Sequence, residues 1–425
     1  MHTYLKLKHT LFFLIAPGGA LFSQTPAISE ANFNVPIDYT TALKIAVERD
    51  PRLNGIEATL DAAVGKVVQA GLKPNPVVGG ELENALGTGT FSGVQGVEVT
   101  LGIRQLIETA DKRTKRTTLA RRELDLVAWQ RERVRAEIEA DTRETFISVL
   151  LAQKIVTLRK EQLELAERSN AEVQKLVDAA RSPQVDLTRS QLEIRQQKFA
   201  LEQAERDLEA TRNALASRWG LLPAPIFTVT GELVLEDNLP EFSELATSLS
   251  GTASLAQFGA LTKSREAALD LEKARAKPDF EVFAGGRYLN QNDGDMGFVA
   301  GIEIPWPLFD KNQGNIRAAR AKLRSVGHSR DAAHRALLVK LSRHFSQLAN
   351  AHADAITVQT ELLPAAEQTL ADTEEGYQRG QFRQLAVLES RQTLFKIRES
   401  QLEALARYAE AQSAINAITR QSTIN

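Results

Sequence analysis

Neither glycine nor proline occurs between Asp111 and Ala180, a run of 70 residues. As one α-helix this run would extend ~105 Å, where a globular helix has about 11–12 residues. A chain containing it is built around rods. Gln184 to Trp219 is a second uninterrupted run, set off by Arg181-Ser182-Pro183. Asn315 to Glu375 is a third, interrupted by Gly327 and by Pro364, where a kink is expected. Gln381 to Asn425 is a fourth, after Tyr377-Gln378-Arg379-Gly380. The chain therefore holds two long helical hairpins.

Their heptads share one register. Leu187, Ile194, Leu201, Leu208 and Leu215 recur every seven residues, as a left-handed coiled-coil seam requires. Two hundred residues later stand Val387, Leu394, Gln401, Tyr408 and Ile415, four of them apolar. Lys73-Pro74-Asn75 answers to Lys277-Pro278-Asp279, and Leu106-Ile107 to Leu308-Phe309. This is an internal duplication.

Between the helices of each copy the pattern changes to a period of two. In Val97–Arg104 the residues Val97, Val99, Leu101 and Ile103 oppose Glu98, Thr100, Gly102 and Arg104. In Phe298–Ile304 the residues Phe298, Ala300, Ile302 and Ile304 oppose Val299, Gly301 and Glu303. The candidate strands, within about 76–107 and 279–305, run about 9–12 residues each, long enough to cross a bilayer when tilted. Hairpin tips are expected at Asn84–Val94 and Gln291–Asp295. Four strands cannot close a barrel, and open edges do not survive in lipid, so several chains must share one. Trp306, between Pro305 and Pro307, suits the headgroup level, where amphipathic aromatics gather. Lys112, Arg113, Lys115 and Arg116 after one strand pair, and Lys311, Arg317 and Arg320 after the other, face either lipid headgroups or water.

The first 27 residues place Lys6 and Lys8 before an apolar stretch from Leu11 to Phe22, the pattern of a secretory signal peptide cut near Ser23 or Ala27. There is no cysteine, hence no disulfide framework and no lipid on an N-terminal Cys. After the signal the densest apolar stretch is Phe146–Ala152, far short of a spanning helix. A net charge of -2 gives no footprint for nucleic acid.

"KPNP" at Lys73–Pro76, "PLFDKNQGNIRAARA" at Pro307–Ala321 and "GYQRGQFRQLAVLES" at Gly376–Ser390 resemble the TolC family of outer-membrane efflux channels. The "PLFDKNQGNI" wording and "ELLPAAEQTL" at Glu361–Leu370 are most similar to its CzcC-like branch, which serves heavy-metal pumps of the resistance-nodulation-division type. The resemblance covers roughly residues 38–420. It implies a mainly α fold with a membrane β part. The parts would be a first repeat over 38–220, an equatorial segment over 221–253 and a second repeat over 254–425. It also implies a homotrimer whose strands make a 12-stranded β-barrel in outer-membrane lipid and whose helices make a periplasmic tunnel. The partners implied are a periplasmic membrane-fusion adaptor and an inner-membrane pump, with no nucleic acid.

By the same resemblance the helix turns form the periplasmic tips, where the adaptor docks. Ala180, Arg181, Ser182 and Pro183 would make one tip, and Gly380, Gln381 and Phe382 the other. The family's first tip carries Gly where this chain has Ala180. Asp186 and Glu389 would ring the closed aperture, with Ala386 in place of a second acid, and Tyr377 and Arg379 would hold the closed state.

No cofactor is expected, and the motifs GxSxG, HExxH and GxxxxGK are missing, so the chain is read as no enzyme. His328, His334, His344 and His352 are never three or four residues apart, which argues against a bound metal. With Met296 the only methionine after the signal, Zn, Co, Cd or Ni suits the channel better than Cu(I). Two alternatives stay open: a multidrug or type I secretion channel with the same tunnel, and a soluble periplasmic coiled-coil adaptor or scaffold.

Overall fold

A computed structural model describes residues 33, 35–94, 96–290 and 294–420. The signal segment and the loop residues 291–293 lie outside the described residues. The elements run α1 (Tyr39–Arg49), α2 (Pro51–Gly71), β1 (Val77–Glu83), β2 (Glu98–Ile107), α3 (Lys112–Asp178) and α4 (Gln184–Arg218). After the connecting segment come α5 (Phe242–Ser248), α6 (Ala253–Arg275), β3 (Phe280–Leu289), β4 (Asp295–Glu303), α7 (Gln313–Thr357), α8 (Leu363–Gln378) and α9 (Gln384–Thr419). The order helix, strand, strand, long helix, helix thus occurs twice.

The seventy-residue run becomes the single 67-residue helix α3. Its counterpart differs in one place. Helix α7 passes through Gly327 without a break, because a glycine in a helix packed along its length costs only about 1 kcal/mol. At Pro364 the expected disturbance takes the form of a π turn, Val358–Leu362. Proline has no N–H to donate and its ring meets the carbonyl four residues back; the wider turn relieves both faults.

Both heptad seams are covered. Leu187, Leu208 and Leu215 are buried in α4, as are Val387, Leu394, Tyr408 and Ile415 in α9. The other core lies across the middle of the rods, in two matching clusters. One joins Ala42 and Ala46 of α1 to Ile138, Phe146 and Val149 of α3, with Leu215, Trp219 and Phe227. The Trp219 indole N–H donates to Ala42 O at 3.0 Å. The other joins Leu249, Leu341, Leu348, Tyr408 and Ile415. Full burial of one such side chain stabilises by about 1.5–3 kcal/mol, so these clusters fix the level at which the rods are tied together. Among the described residues no helix is long and apolar enough to cross a membrane.

The four strands form one antiparallel sheet in the order β1-β2-β3-β4. The two repeats are joined through β2 and β3, with Gly102 opposite Gly285. Strand β1 has seven residues, fewer than expected. At the helical end of the sheet the basic residues divide. Lys112 is buried, its ammonium 2.7 Å from Asp279 and donating to Lys277 O. Arg116 pairs with Glu108 at 2.5 Å and donates to Ala70 O. Both satisfy carbonyls freed where a helix gives way to a strand, Ala70 at the end of α2 and Lys277 just after α6, rather than serving lipid headgroups or a fully solvated helix face. Asp111 and Asn312, at equivalent positions before α3 and α7, both adopt left-handed φ, +56° each, which their short polar side chains tolerate.

Candidate functional site: a two-faced sheet and paired helix tips

The register separates the sheet's two faces. One carries Val78, Leu82, Val99, Leu101 and Ile103, continued by Val282, Tyr288, Met296, Phe298 and Ile302. It is apolar and open: Phe298 is 79% and Ile302 67% exposed in the single chain. The other face carries Glu81, Glu83, Glu98, Glu281 and Glu303 with only Arg104 and Arg287. Each arginine spans strands. Arg104 lies 2.6 Å from Glu81 and 3.8 Å from Glu281; Arg287 lies 2.9 Å from Glu98 and 3.2 Å from Glu83. Charges on one face and apolar side chains on the other describe a wall between water and hydrocarbon. Among the described residues the outer edges of β1 and β4 have no partner strand, leaving ladders that other strands can complete.

At the far ends of the rods the two tips share one hydrogen-bond pattern. Arg181 N–H donates to Leu176 O at 2.7 Å and Ala180 N–H to Val177 O at 2.9 Å. Gln381 N–H donates to Gly376 O at 2.8 Å and Gly380 N–H to Tyr377 O at 2.9 Å. Both are Schellman turns, whose central residue is left-handed. Gly380 takes φ +73° freely, while Ala180 takes φ +59° against its Cβ. Ala180→Gly is therefore expected to stabilise this turn by about 1 kcal/mol. Loss of protease cutting at the first tip is the measurement; unchanged cutting would show that Ala180 carries no strain. Ala180, Arg181, Pro183, Gly380, Gln381 and Phe382 are exposed, and Ser182 is half-buried.

The sequence-derived aperture residues are only partly together. Asp186, in the first turn of α4, accepts from Ser182 Oγ at 2.8 Å. Tyr377 is half-buried beside it; burial first, then the carboxylates of Asp186 and Glu172, push its phenol above the ordinary value. Arg379 instead pairs with Glu375 one turn back on its own helix, and Glu389 is exposed on α9. Sequence reasoning missed the close packing at Gly376, where a Cβ would meet the Phe382 ring at 2.3 Å. It also missed Arg159, which joins α3 to Glu399 of α9 at 2.5 Å. Only the glycine in "GYQRGQF" signalled the first; nothing local signalled the second.

His352 is buried, with Nε2 2.9 Å from Glu236 O. Among the described residues no group of three or more His, Asp or Glu is arranged to hold a metal ion.

The chain matches the family described as "Outer membrane efflux protein" over residues 42–221 and 245–419. It is 29% identical over 388 residues to the cobalt-zinc-cadmium resistance protein CzcC of Cupriavidus metallidurans, covering 90% of each chain. It is 22% identical over 311 residues to the nickel-cobalt-cadmium resistance protein NccC of Alcaligenes xylosoxydans xylosoxydans, covering 72% of this chain and 70% of that one. Among solved structures, CusC superposes with a TM-score of 0.68 at 16% identity, covering 94% of this chain and 96% of that one. VceC of Vibrio cholerae gives 0.69 at 15%, covering 90% and 96%. Long rods on a two-faced sheet, matched by that family along both repeats, leave no place for a soluble adaptor: the chain belongs to the outer membrane efflux protein family, channels of the outer membrane rather than enzymes.

Proposed function

We propose that the protein is the outer-membrane exit duct of a tripartite efflux system for divalent metal cations. The observation that carries the reading is the sheet with two unpartnered edges and an apolar outer face. Three copies, each pairing β4 with the next chain's β1, would close a 12-stranded barrel that leaves no edge in lipid. Its glutamate-rich face would then line the water path and favour cations. Trp306 would stand at the headgroup level below that barrel.

The helices would continue as a periplasmic tunnel that moves cargo passively, with an inner-membrane pump of the resistance-nodulation-division type supplying the energy. An adaptor would dock at the two Schellman tips, Ala180–Pro183 and Gly380–Phe382. Asp186 and Glu389 would ring the aperture. Tyr377, already beside Asp186, would join the two tips in the closed state, with Arg379 free to leave Glu375 for a neighbouring chain. The metal cargo rests on likeness to the cobalt-zinc-cadmium and nickel-cobalt-cadmium resistance proteins.

A deletion strain is expected to lose several-fold in tolerance to Zn, Co, Cd or Ni salts while keeping its tolerance to drugs and dyes. Sensitivity to drugs alone would keep the duct and overturn the cargo. Plasmid-borne wild-type protein must restore growth.

A further inference from the structure

The helical end of the sheet carries a cleft with Trp306 in its wall. It has a volume of about 360 Å³ and lies between the end of α6 and the segment that follows β4. One wall is Trp306, Leu308 and Phe309; the other is Arg275, Lys277 and Pro278. Trp306 and Phe309 are 85% and 86% exposed, among the most exposed large apolar side chains of the chain. Trp306 also continues the even-numbered apolar face of β4, after Phe298, Ile302 and Ile304. The cleft therefore adjoins the face that meets hydrocarbon.

Its charges are arranged for an anion. Lys277 is exposed, and its ammonium has no partner among the described residues. The buried Lys112 ammonium holds Lys277 in place by donating to its carbonyl at 2.6 Å. Arg275 pairs with Glu272 at 2.6 Å through Nη1 alone, and its side chain is 52% exposed. Asp310, the one acid in the lining, already accepts from Asn312 N–H at 2.8 Å. A cationic wall facing an aromatic one, at the rim of an apolar sheet, matches one kind of molecule: a phosphate ester with hydrocarbon attached.

We propose that this cleft binds the phosphate of an anionic phospholipid in the periplasmic leaflet, with Lys277 and Arg275 on the phosphate and Trp306 and Phe309 against the glycerol and upper acyl chains. The inference rests on the channel reading, since it needs the sheet in a membrane. Occupied by lipid, the cleft fixes the depth at which the barrel ends and the tunnel begins.

The test uses the full chain extracted from outer membranes in detergent, followed by thermal unfolding with short-chain phosphatidylglycerol, phosphatidylcholine or inorganic phosphate. Phosphatidylglycerol is expected to raise the unfolding temperature at least twice as far as phosphatidylcholine, and inorganic phosphate not at all. Arg275→Gln with Lys277→Gln should lose more than half of that rise while unfolding at the wild-type temperature without lipid; Lys277→Arg should keep it. A double variant that keeps the full rise, or an equal rise with inorganic phosphate, overturns the lipid site and leaves the channel standing. A wild-type chain recovered as a soluble monomer overturns both. If the double variant does not assemble, quenching of tryptophan emission by acyl-brominated phosphatidylglycerol decides. Quenching that Trp306→Phe removes supports the site, and quenching that it leaves unchanged overturns it.

Discussion

Gly285→Val is expected to leave no heat-sensitive oligomer in the outer membrane, whereas Gly286→Val, one residue along the same strand, should assemble. At Gly285 a Cβ would lie 2.4 Å from Leu101 O and 2.9 Å from the Gly102 Cα, both backbone atoms of β2. Backbone cannot step aside as the end of a flexible side chain can, so β2 and β3 must separate where the two repeats join. Overpacking of a well-packed site costs about 1–3 kcal/mol, and a clash with main chain lies at or above the top of that range. Three chains in one barrel would incur it three times. The glycines have a common purpose: Gly79, Gly102 and Gly285 stand side by side on the glutamate-rich face, where a sheet curling toward that face has least room. Gly286 points to the apolar side, and a Cβ there meets nothing within 4 Å. The measurement is band position on unheated gels of membrane extracts. Normal trimer from Gly285→Val would mean that the strands at this level are further apart than 2.4 Å implies.

How much of this was legible in the sequence depends on the reach of each interaction. The rods were, because absence of glycine and proline over 70 residues and a seven-residue repeat are local signals. So were the tips, since Arg181-Ser182-Pro183 and Arg379-Gly380 are short-range punctuation. The two sheet faces were half legible. Alternation gave the sides of β2 and β4, but the register of β2 against β3, 187 residues apart at Thr100 and Arg287, has no local signal. Without it Arg104 and Arg287 are isolated charges rather than bridges between strands. Lys112 and Arg116 were misread for the same reason, because the carbonyls they satisfy belong to residues 165 and 46 positions away, respectively. Among the aperture residues, resemblance grouped Asp186 with Glu389 and Tyr377 with Arg379 but gave no partners within the chain, while Arg379 follows a local rule, pairing with an acid four residues back.

The second large effect is expected from Arg159→Glu, a substitution in mid-rod. Helices α3 and α9 are where the two hairpins of one chain face each other, so in the proposed duct a widening of the tunnel entrance would part them. Near the middle of the molecule the seam is held by Arg420 of α9's C-terminal end on Glu139. Toward the tips the two hairpins are joined instead from α9 to α4, where Gln392 donates to Glu193 at 3.1 Å. Arg159–Glu399 lies between them, with side-chain exposures of only 21% and 26%, so solvent screens it less than a surface pair. The guanidinium is held from its other side by Gln162 at 2.9 Å. Next to Glu399, Arg398 meets Glu367 of α8, five residues past the π turn that ends at Leu362. The second hairpin thus has a π turn close to the pair, while α3 beside it is unbroken, so a bend of the second hairpin would be expected here, with Arg159–Glu399 tying it to α3. Loss of such a pair costs about 1–3 kcal/mol, and threefold symmetry would multiply that to roughly 3–9 kcal/mol for the entrance as a whole, enough to shift an open–closed balance by a factor of at least about 100. Arg159→Glu is accordingly expected to raise single-channel conductance and open time in planar bilayers. It should also sensitise cells to large antibiotics that the outer membrane normally excludes. Arg159→Glu with Glu399→Arg should restore the closed channel, because the swap rebuilds the pair. A single variant that conducts like the wild type, or a swap that conducts like the single variant, would show that the seam is held at its ends alone.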